Sequence, residues 1–219
     1  MDKLPPFTVA RVETFPLHAK VPGSPQMSLG EMAGRPALLV RIEDGDGAYG
    51  WGEVWANFPP RAHFHKADLI EDVIAPRILG QDFDHPGALA AACDRALSRY
   101  ALHVGQPLVF EHCYAGLDTA AWDLALRKAG RSAAEHFGFA EGARVYASSL
   151  NEDAFSATAA DWLGRGVGGC KIKVGYDRAR DLAFIRRARD ELPQSVDLMI
   201  DANQAWEVEE ALEVASAVA

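Results

Sequence analysis

Two lysines, Lys171 and Lys173, stand in the short stretch GGCKIKVG, and an aspartate, Asp201, closes the apolar run LMID thirty residues after the first of them. On a strand the i, i+2 spacing sends both ammonium groups to one face. Side by side and partly withdrawn from water, each ammonium favours loss of the other's proton, which is how a lysine becomes a base near neutral pH. Asp201 brings a hard oxygen donor toward the pair. A divalent cation held by oxygen donors stabilises an oxyanion as it forms, and such a donor suits Mg²⁺ better than zinc. The three residues together point to proton removal by an amine, with a cation holding the charge left behind. Taken alone they leave other readings open. Lysine pairs also alternate on the wet face of half-exposed strands, and an aspartate at a strand end also caps the next helix or loop. Either lysine could instead form a Schiff base, as in a barrel aldolase.

The elements that position these residues alternate. RVYASSL, GCKIKVG and VDLMIDAN read as strands; EDAFSATAADWLGRG, DRARDLAFIRRARDEL and EVEEALEVASAVA read as helices. A period of about 30 residues is the signature of a parallel sheet wrapped by helices. In the last helix Val208, Ala211, Leu212, Ala215 and Ala219 mark one face. Reacting groups in such folds gather at the carboxyl ends of the strands, where Asp201 lies. Three parallel strands alone would leave edges and one sheet face uncovered. The expectation is therefore the front portion of a longer protein rather than an open three-stranded unit.

Residues 1–135 read differently. FTVARVETFPLH and RPALLVRIED are strands, and EDGDGAYG turns directly into the strand WGEVW. That turn contains Gly-x-Gly-x-x-Gly, but a dinucleotide fingerprint needs a helix next, so it is a hairpin. Helices follow over His63–Leu79, over the stripe from Leu89 to Tyr100, and over EHCYAGLDTAAWDLALRKAG, which is apolar around most of its circumference and central. The whole is an α+β unit, a three-stranded sheet with a helical bundle, followed by the α/β unit at 143–219. His63 and His65, two apart at a helix start, do not share a face and make poor metal ligands. Asp118 and Asp123 in the central helix suit structural hydrogen bonds or ion pairs.

Composition narrows the classes. The 219 residues are 49 % hydrophobic and 24 % charged, ordinary for a globular chain. A net charge of −9 argues against nucleic acid, and an anionic ligand would need a local basic site. No apolar run is long enough for a membrane span and no secretory leader is legible, so a cytoplasmic protein with no membrane partner is expected. Cys93, Cys113 and Cys170 are widely spaced and read as buried free thiols.

DGDGAYGWGE, AGLDTAAWDLALRKAG, KIKVG and IDANQAW, in that order and spacing, resemble the enolase superfamily, in particular its mandelate racemase and muconate lactonizing branch, over essentially the whole chain. The resemblance implies an α+β capping domain followed by a (β/α)8 TIM-like barrel, of which the first three β/α units are present. It implies Mg²⁺ as cofactor and a small-molecule carboxylate as substrate, deprotonated next to the carboxylate; a Lys or His base with Mg²⁺ is a known pattern of that superfamily. By the same resemblance Lys173 is the acid/base, and Lys171 neutralises the substrate carboxylate and depresses the pKa of Lys173. Asp201 becomes the first metal ligand and Asn203 a substrate contact. The loop AKVPGSPQMSLGEMAGR, which contains Met27, and the segment VWANFPPRAHF, with Trp55, Phe58 and Arg61, then close over the substrate and set specificity. Dehydration or racemisation of a sugar acid or hydroxy acid fits best, with muconate-type cycloisomerisation and dipeptide or acyl-amino-acid epimerisation as alternatives. A homo-oligomer is expected. GRSAAEHFGF departs from the family pattern at the domain junction. One carboxylate falls short of the roughly six oxygen positions of Mg²⁺, so a half-site inactive on its own is expected, and a truncated, binding-only relative is the reading of another class.

Overall fold

The structure, a computed structural model, describes residues 3–20, 26–27, 30–31, 34–138, 142–150 and 152–218. It divides into two compact units, 1–22 with 34–140 and 23–33 with 141–219. Among the described residues no helix is long and apolar enough to cross a membrane.

The first unit opens with β1 (Phe7–Lys20). In the second unit's early segment, β2 (Gln26–Met27) pairs with β3 (Gly30–Glu31). The first unit resumes with β4 (Gly34–Asp44) and β5 (Tyr49–Val54). β4 alternates as its sequence does, with Leu38, Val40 and Ile42 fully buried. α1 (Ala62–Leu69) passes through a π-helical turn (Ile70–Ile74) into α2 (Ala75–Ile78). Pro76 lacks an N–H and crowds the preceding turn, and a widened turn just before it relieves both problems. β6 (Asp82–Phe83), α3 (Gly87–His103), α4 (Pro107–Lys128) and α5 (Ala133–Phe137) complete the unit.

The sheet has four strands in the order β5-β4-β1-β6, not the three expected, because the two-residue β6 adds antiparallel to β1 at Phe7 and Phe83. Two residues are too short for any alternation to announce them. The expected hairpin forms: Asp44 Oδ1 accepts from the N–H of Asp46 at 3.0 Å and of Ala48 at 3.1 Å, and Lys128 from α4 reaches Asp44 Oδ2. The glycines after the turn serve packing. A Cβ on Gly52 would stand 1.9 Å from the carbonyl oxygen of Gly116, and one on Gly50 2.1 Å from that of Ala120. The backbone of α4 therefore lies directly on β5, as expected of a central helix.

The second unit alternates β7 (Tyr146–Leu150), α6 (Phe155–Gly164), β8 (Gly169–Lys173), α7 (Arg178–Glu191), β9 (Asp197–Asp201) and α8 (Val208–Val218). Its sheet is parallel in the order β7-β8-β9, with Lys171 level with Met199 and Lys173 level with Asp201. Cys170, Ile172 and Val174 are fully buried in a core with Phe155, Phe184 and Ile185, so Lys171 and Lys173 take the other face of β8. On the α8 face marked by Val208, Ala211, Leu212, Ala215 and Ala219, Val208 and Leu212 are exposed and Ala219 lies outside the described residues; the buried residue of the described helix is Val214. Alanine and valine recur around most of that helix, and packing against α7, which periodicity does not specify, selects the face.

Candidate active site

Four residues meet at the carboxyl ends of β8 and β9. Lys173 Nζ stands 2.8 Å and Lys171 Nζ 3.1 Å from the same oxygen, Asp201 Oδ2. Lys173 also donates to Asn203 Oδ1 at 3.1 Å, and the other carboxylate oxygen, Asp201 Oδ1, accepts from the Asn203 backbone N–H at 3.0 Å. Side-chain exposure is 13 % at Lys173, 23 % at Lys171 and 27 % at Asp201, so the cluster is half-withdrawn from water yet open on one side.

The local chain explains how the cluster holds. The N–H of Val174 donates to the backbone carbonyl of Asp201 at 3.1 Å, extending the β8-β9 ladder past both strand ends. Asn203 and Gln204 come next, with φ of 47° and 63°. Consecutive non-glycine residues in the left-handed region carry strain, which persists where surrounding contacts over-determine it and which gathers at functional sites. Gly175, at φ 94°, meets the 202–205 turn so closely that a Cβ would stand 2.8 Å from Ala205 Cβ. The loop is anchored from below by the buried Asp181, whose Oδ2 accepts from the N–H of Gly175 at 2.7 Å and of Tyr176 at 3.2 Å.

At Lys171 the electrostatics differ from the sequence expectation, because the Asp201 carboxylate stands beside its ammonium. Hydrogen bonding and charge from Asp201 push Lys171 up, against the downward pull of burial. The Lys173 ammonium, ahead of the opposing effect of burial and the help of the Asn203 N–H and Lys171, holds the Asp201 carboxyl down at about 2. The arrangement is thus a closed ion triad, with Lys171 over the ring of Tyr146 at 5.5 Å.

Asp201 is the hard oxygen donor that Mg²⁺ takes, but one carboxylate is not a site. Among the described residues no three His, Cys, Asp or Glu side chains come together to hold a metal. These residues do not make a magnesium site by themselves.

The other site expectations concern other segments of the chain. Trp55 and Phe58 are neighbours in the first unit, with ring centroids 6.5 Å apart. Met27 lies in β2, its side chain outside what is described, and most of the expected lid at 19–35 lies outside the described residues. His63 is buried and His65 faces out to Gln106, so the two share no face. Asp123 accepts from the Trp51 N–H and from Arg127, each at 2.8 Å, a structural role. Asp118 makes neither kind of bond among the described residues; burial pushes its carboxyl up, against His85. All three cysteines are free and buried. Sequence reasoning misses Asp181 and Lys66. Nothing local marks Asp181, but the stripe Ile70, Ile74 extended one turn back lands on the inward Lys66, and a second turn back on His63.

Known proteins share this architecture. The sequence model of the mandelate racemase/muconate lactonizing enzyme N-terminal domain matches residues 11–138, and that described as enolase C-terminal domain-like matches 154–219. A D-galactarolactone cycloisomerase of Agrobacterium fabrum is 30 % identical over 187 residues, covering 81 % of this chain and 47 % of the relative. An L-talarate/galactarate dehydratase of Salmonella typhimurium is 28 % identical over 204 residues, covering 89 % and 48 %. The chain spans about half the length of the curated relatives it matches. Among solved structures, a mandelate racemase/muconate lactonizing enzyme from Bordetella bronchiseptica superposes with TM-score 0.86 at 35 % identity, over 97 % of this chain and 56 % of that one. A racemase from Streptomyces coelicolor with bound magnesium superposes with TM-score 0.82 at 26 % identity, over 95 % and 59 %. A capping-domain match over more than half the chain, followed by the parallel strands of the C-terminal type, settles the assignment: the chain belongs to the mandelate racemase/muconate lactonizing enzyme family of the enolase superfamily.

Proposed function

We propose that the protein to which this chain contributes removes the proton next to a substrate carboxylate, forms an enediolate, and acts as a dehydratase or racemase of a sugar acid or hydroxy acid. The observation that carries this reading is the convergence of Lys171, Lys173 and Asn203 on Asp201 at two adjacent strand ends. Lys173, the less exposed lysine, is the group assigned to the α-carbon. To act as a base it must stand as the neutral amine, so its hydrogen bond to Asp201 has to be given up when substrate arrives. Lys171, held charged, pairs with the substrate carboxylate, and the Asn203 amide orients it. A completed (β/α)8 barrel belongs to this proposal, as do substrate contacts by Trp55, Phe58 and Met27.

Mg²⁺ is the proposed cofactor, with Asp201 as one ligand; when bound it supplies positive charge for the enediolate oxygens. The magnesium in the S. coelicolor racemase supports that choice. The names of the cycloisomerase and dehydratase relatives favour sugar-acid substrates. Cycloisomerisation and epimerisation share the same first step and differ in the fate of the enediolate. A Schiff base is less suited to Lys171, which is held as the ammonium rather than the nucleophilic amine.

The test is a screen in D₂O. Full-length protein with Mg²⁺ is incubated with aldonic and aldaric acids, aromatic hydroxy acids, N-acyl amino acids and dipeptides, and loss of the α-proton signal is followed by NMR. Exchange confined to sugar acids or hydroxy acids and abolished by EDTA is expected. A folded protein that exchanges none of them overturns the reading.

A further inference from the structure

Asp181 is a carboxylate that the proposed chemistry does not use, and it is buried, at 3 % exposure, in the first turn of α7. A buried carboxylate ordinarily has a cationic partner, because water no longer solvates its charge. Here a single oxygen, Oδ2, takes two backbone N–H groups, those of Gly175 at 2.7 Å and Tyr176 at 3.2 Å. The helix itself is capped by another residue, Asp177, whose side chain accepts from the Arg180 N–H at 2.9 Å. Asp181 therefore serves the loop that leaves β8 rather than the start of α7.

That loop follows Lys173 directly and lies on the turn that follows β9. A Cβ on Gly175 would stand 2.8 Å from Ala205 Cβ and 2.9 Å from the carbonyl oxygen of Ala202. The Ala205 N–H closes the turn by donating to the same carbonyl at 3.0 Å, and between them Asn203 and Gln204 hold left-handed backbone. Asp201 and Asn203 enter the site from the start of this turn. Strained backbone of this kind persists only where neighbours over-determine it, and Gly175 is such a neighbour. With no clearance for even a methyl group, a displacement of Gly175 by ~1 Å either pushes the turn or releases it, and errors of that size matter to proton transfer.

We infer that Asp181 is a positioning residue: by holding the Gly175–Tyr176 backbone against the 202–205 turn, it sets where Asp201 and Asn203 stand relative to Lys173. It touches no reacting group. The inference rests on the reaction proposed for Lys173, but the geometry it invokes is testable without substrate.

Two readouts on the full-length protein separate this role from plain stability. In the first, without substrate and in EDTA, urea midpoints are compared for wild type, Asp181→Ala, Asp201→Asn and the double variant. The downward shift caused by Asp201→Asn should be at most about half as large in the Asp181→Ala background, because Asp201 is no longer held on its lysines. Additive shifts overturn the inference. The second is α-proton exchange in D₂O with a substrate found by the screen. Asp181→Ala should lose ~10–100-fold, chiefly in kcat, and Asp181→Asn, which keeps an oxygen acceptor for both N–H groups, should recover most of it. Asp177→Ala removes the helix cap without removing either loop hydrogen bond, and should stay within about twofold of wild type. A folded Asp181→Ala protein with wild-type kcat overturns the inference, as does an equal loss in Asp177→Ala. If Asp181→Ala fails to fold, Gly175→Ala, which disturbs the same contact from the other side, replaces it in both readouts with the same expected outcomes. A wild type that exchanges no substrate would overturn the proposed reaction, and the urea comparison would then decide the placement of Asp201 by itself.

Discussion

Replacing Asp201 by Asn removes the charge that two lysines share while keeping the side chain's shape. The carboxyl sits at about 2 in the folded chain against 3.8 for an unperturbed one, a difference of about 2 kcal/mol in favour of the folded, ionised form. The sign comes from the depression. This stabilisation is present above pH 4 and is lost as pH falls toward 2, where the native carboxylate takes up its proton. Removing the charge also leaves two half-buried ammonium groups facing each other at the strand ends, so the loss at neutral pH should reach at least that ~2 kcal/mol. Urea unfolding followed by circular dichroism, in EDTA so that no cation contributes, measures it. Asp201→Asn should lose ~2 kcal/mol or more at pH 7, and wild type should approach it as pH drops below 3. Equal stability of the two proteins at pH 7 would refute the ion triad, as would a deficit of the same size at pH 2.5 and pH 7.

Other consequences rest on the packing and hydrogen bonds around the two units. Gly52→Ala puts a methyl group into the backbone of α4 and should cost upwards of ~4 kcal/mol, read as a collapse of the first unit's melting transition. Asp181→Ala strands the N–H groups of Gly175 and Tyr176; a loss of ~1–3 kcal/mol and faster amide exchange at those two residues are expected. Both ring nitrogens of the buried His63 lack a hydrogen-bond partner among the described residues, and burial, with the nearby His18 and Arg61, lowers its pKa. The neutral ring therefore contributes stability that is complete above pH 6.5 and fades below it, and in His63→Phe the slope of melting temperature between pH 7 and 5 should flatten.

How far the molecule can be read from its sequence depends on the range of the interaction concerned. The shared face of Lys171 and Lys173 is legible because alternation is a property of the strand itself. That the face is the one away from Phe155, Phe184 and Ile185 is not, since it depends on where the helices land. The upward push on Lys171 comes from a carboxylate thirty residues on, whose position between the lysines is set by the β8-β9 register. The glycines after the hairpin are legible as a turn, but their tight seat under Gly116 and Ala120 is visible only once α4 lies on β5. At the departure GRSAAEHFGF a local signal does exist in the residue types: Ser132 and Glu135 form a reciprocal capping box that starts α5. Lys66 is masked by its residue type, because a lysine on a helix reads as solvated unless the apolar stripe is extended through it.

Lys173 carries the central claim, and α-proton exchange in D₂O by the full-length protein tests it most directly. With a substrate found by the screen, Lys173→Ala should reduce exchange at the α-carbon by ~10²–10⁴-fold while circular dichroism and melting show a folded protein. Exchange at the wild-type rate in a folded Lys173→Ala protein would contradict the account.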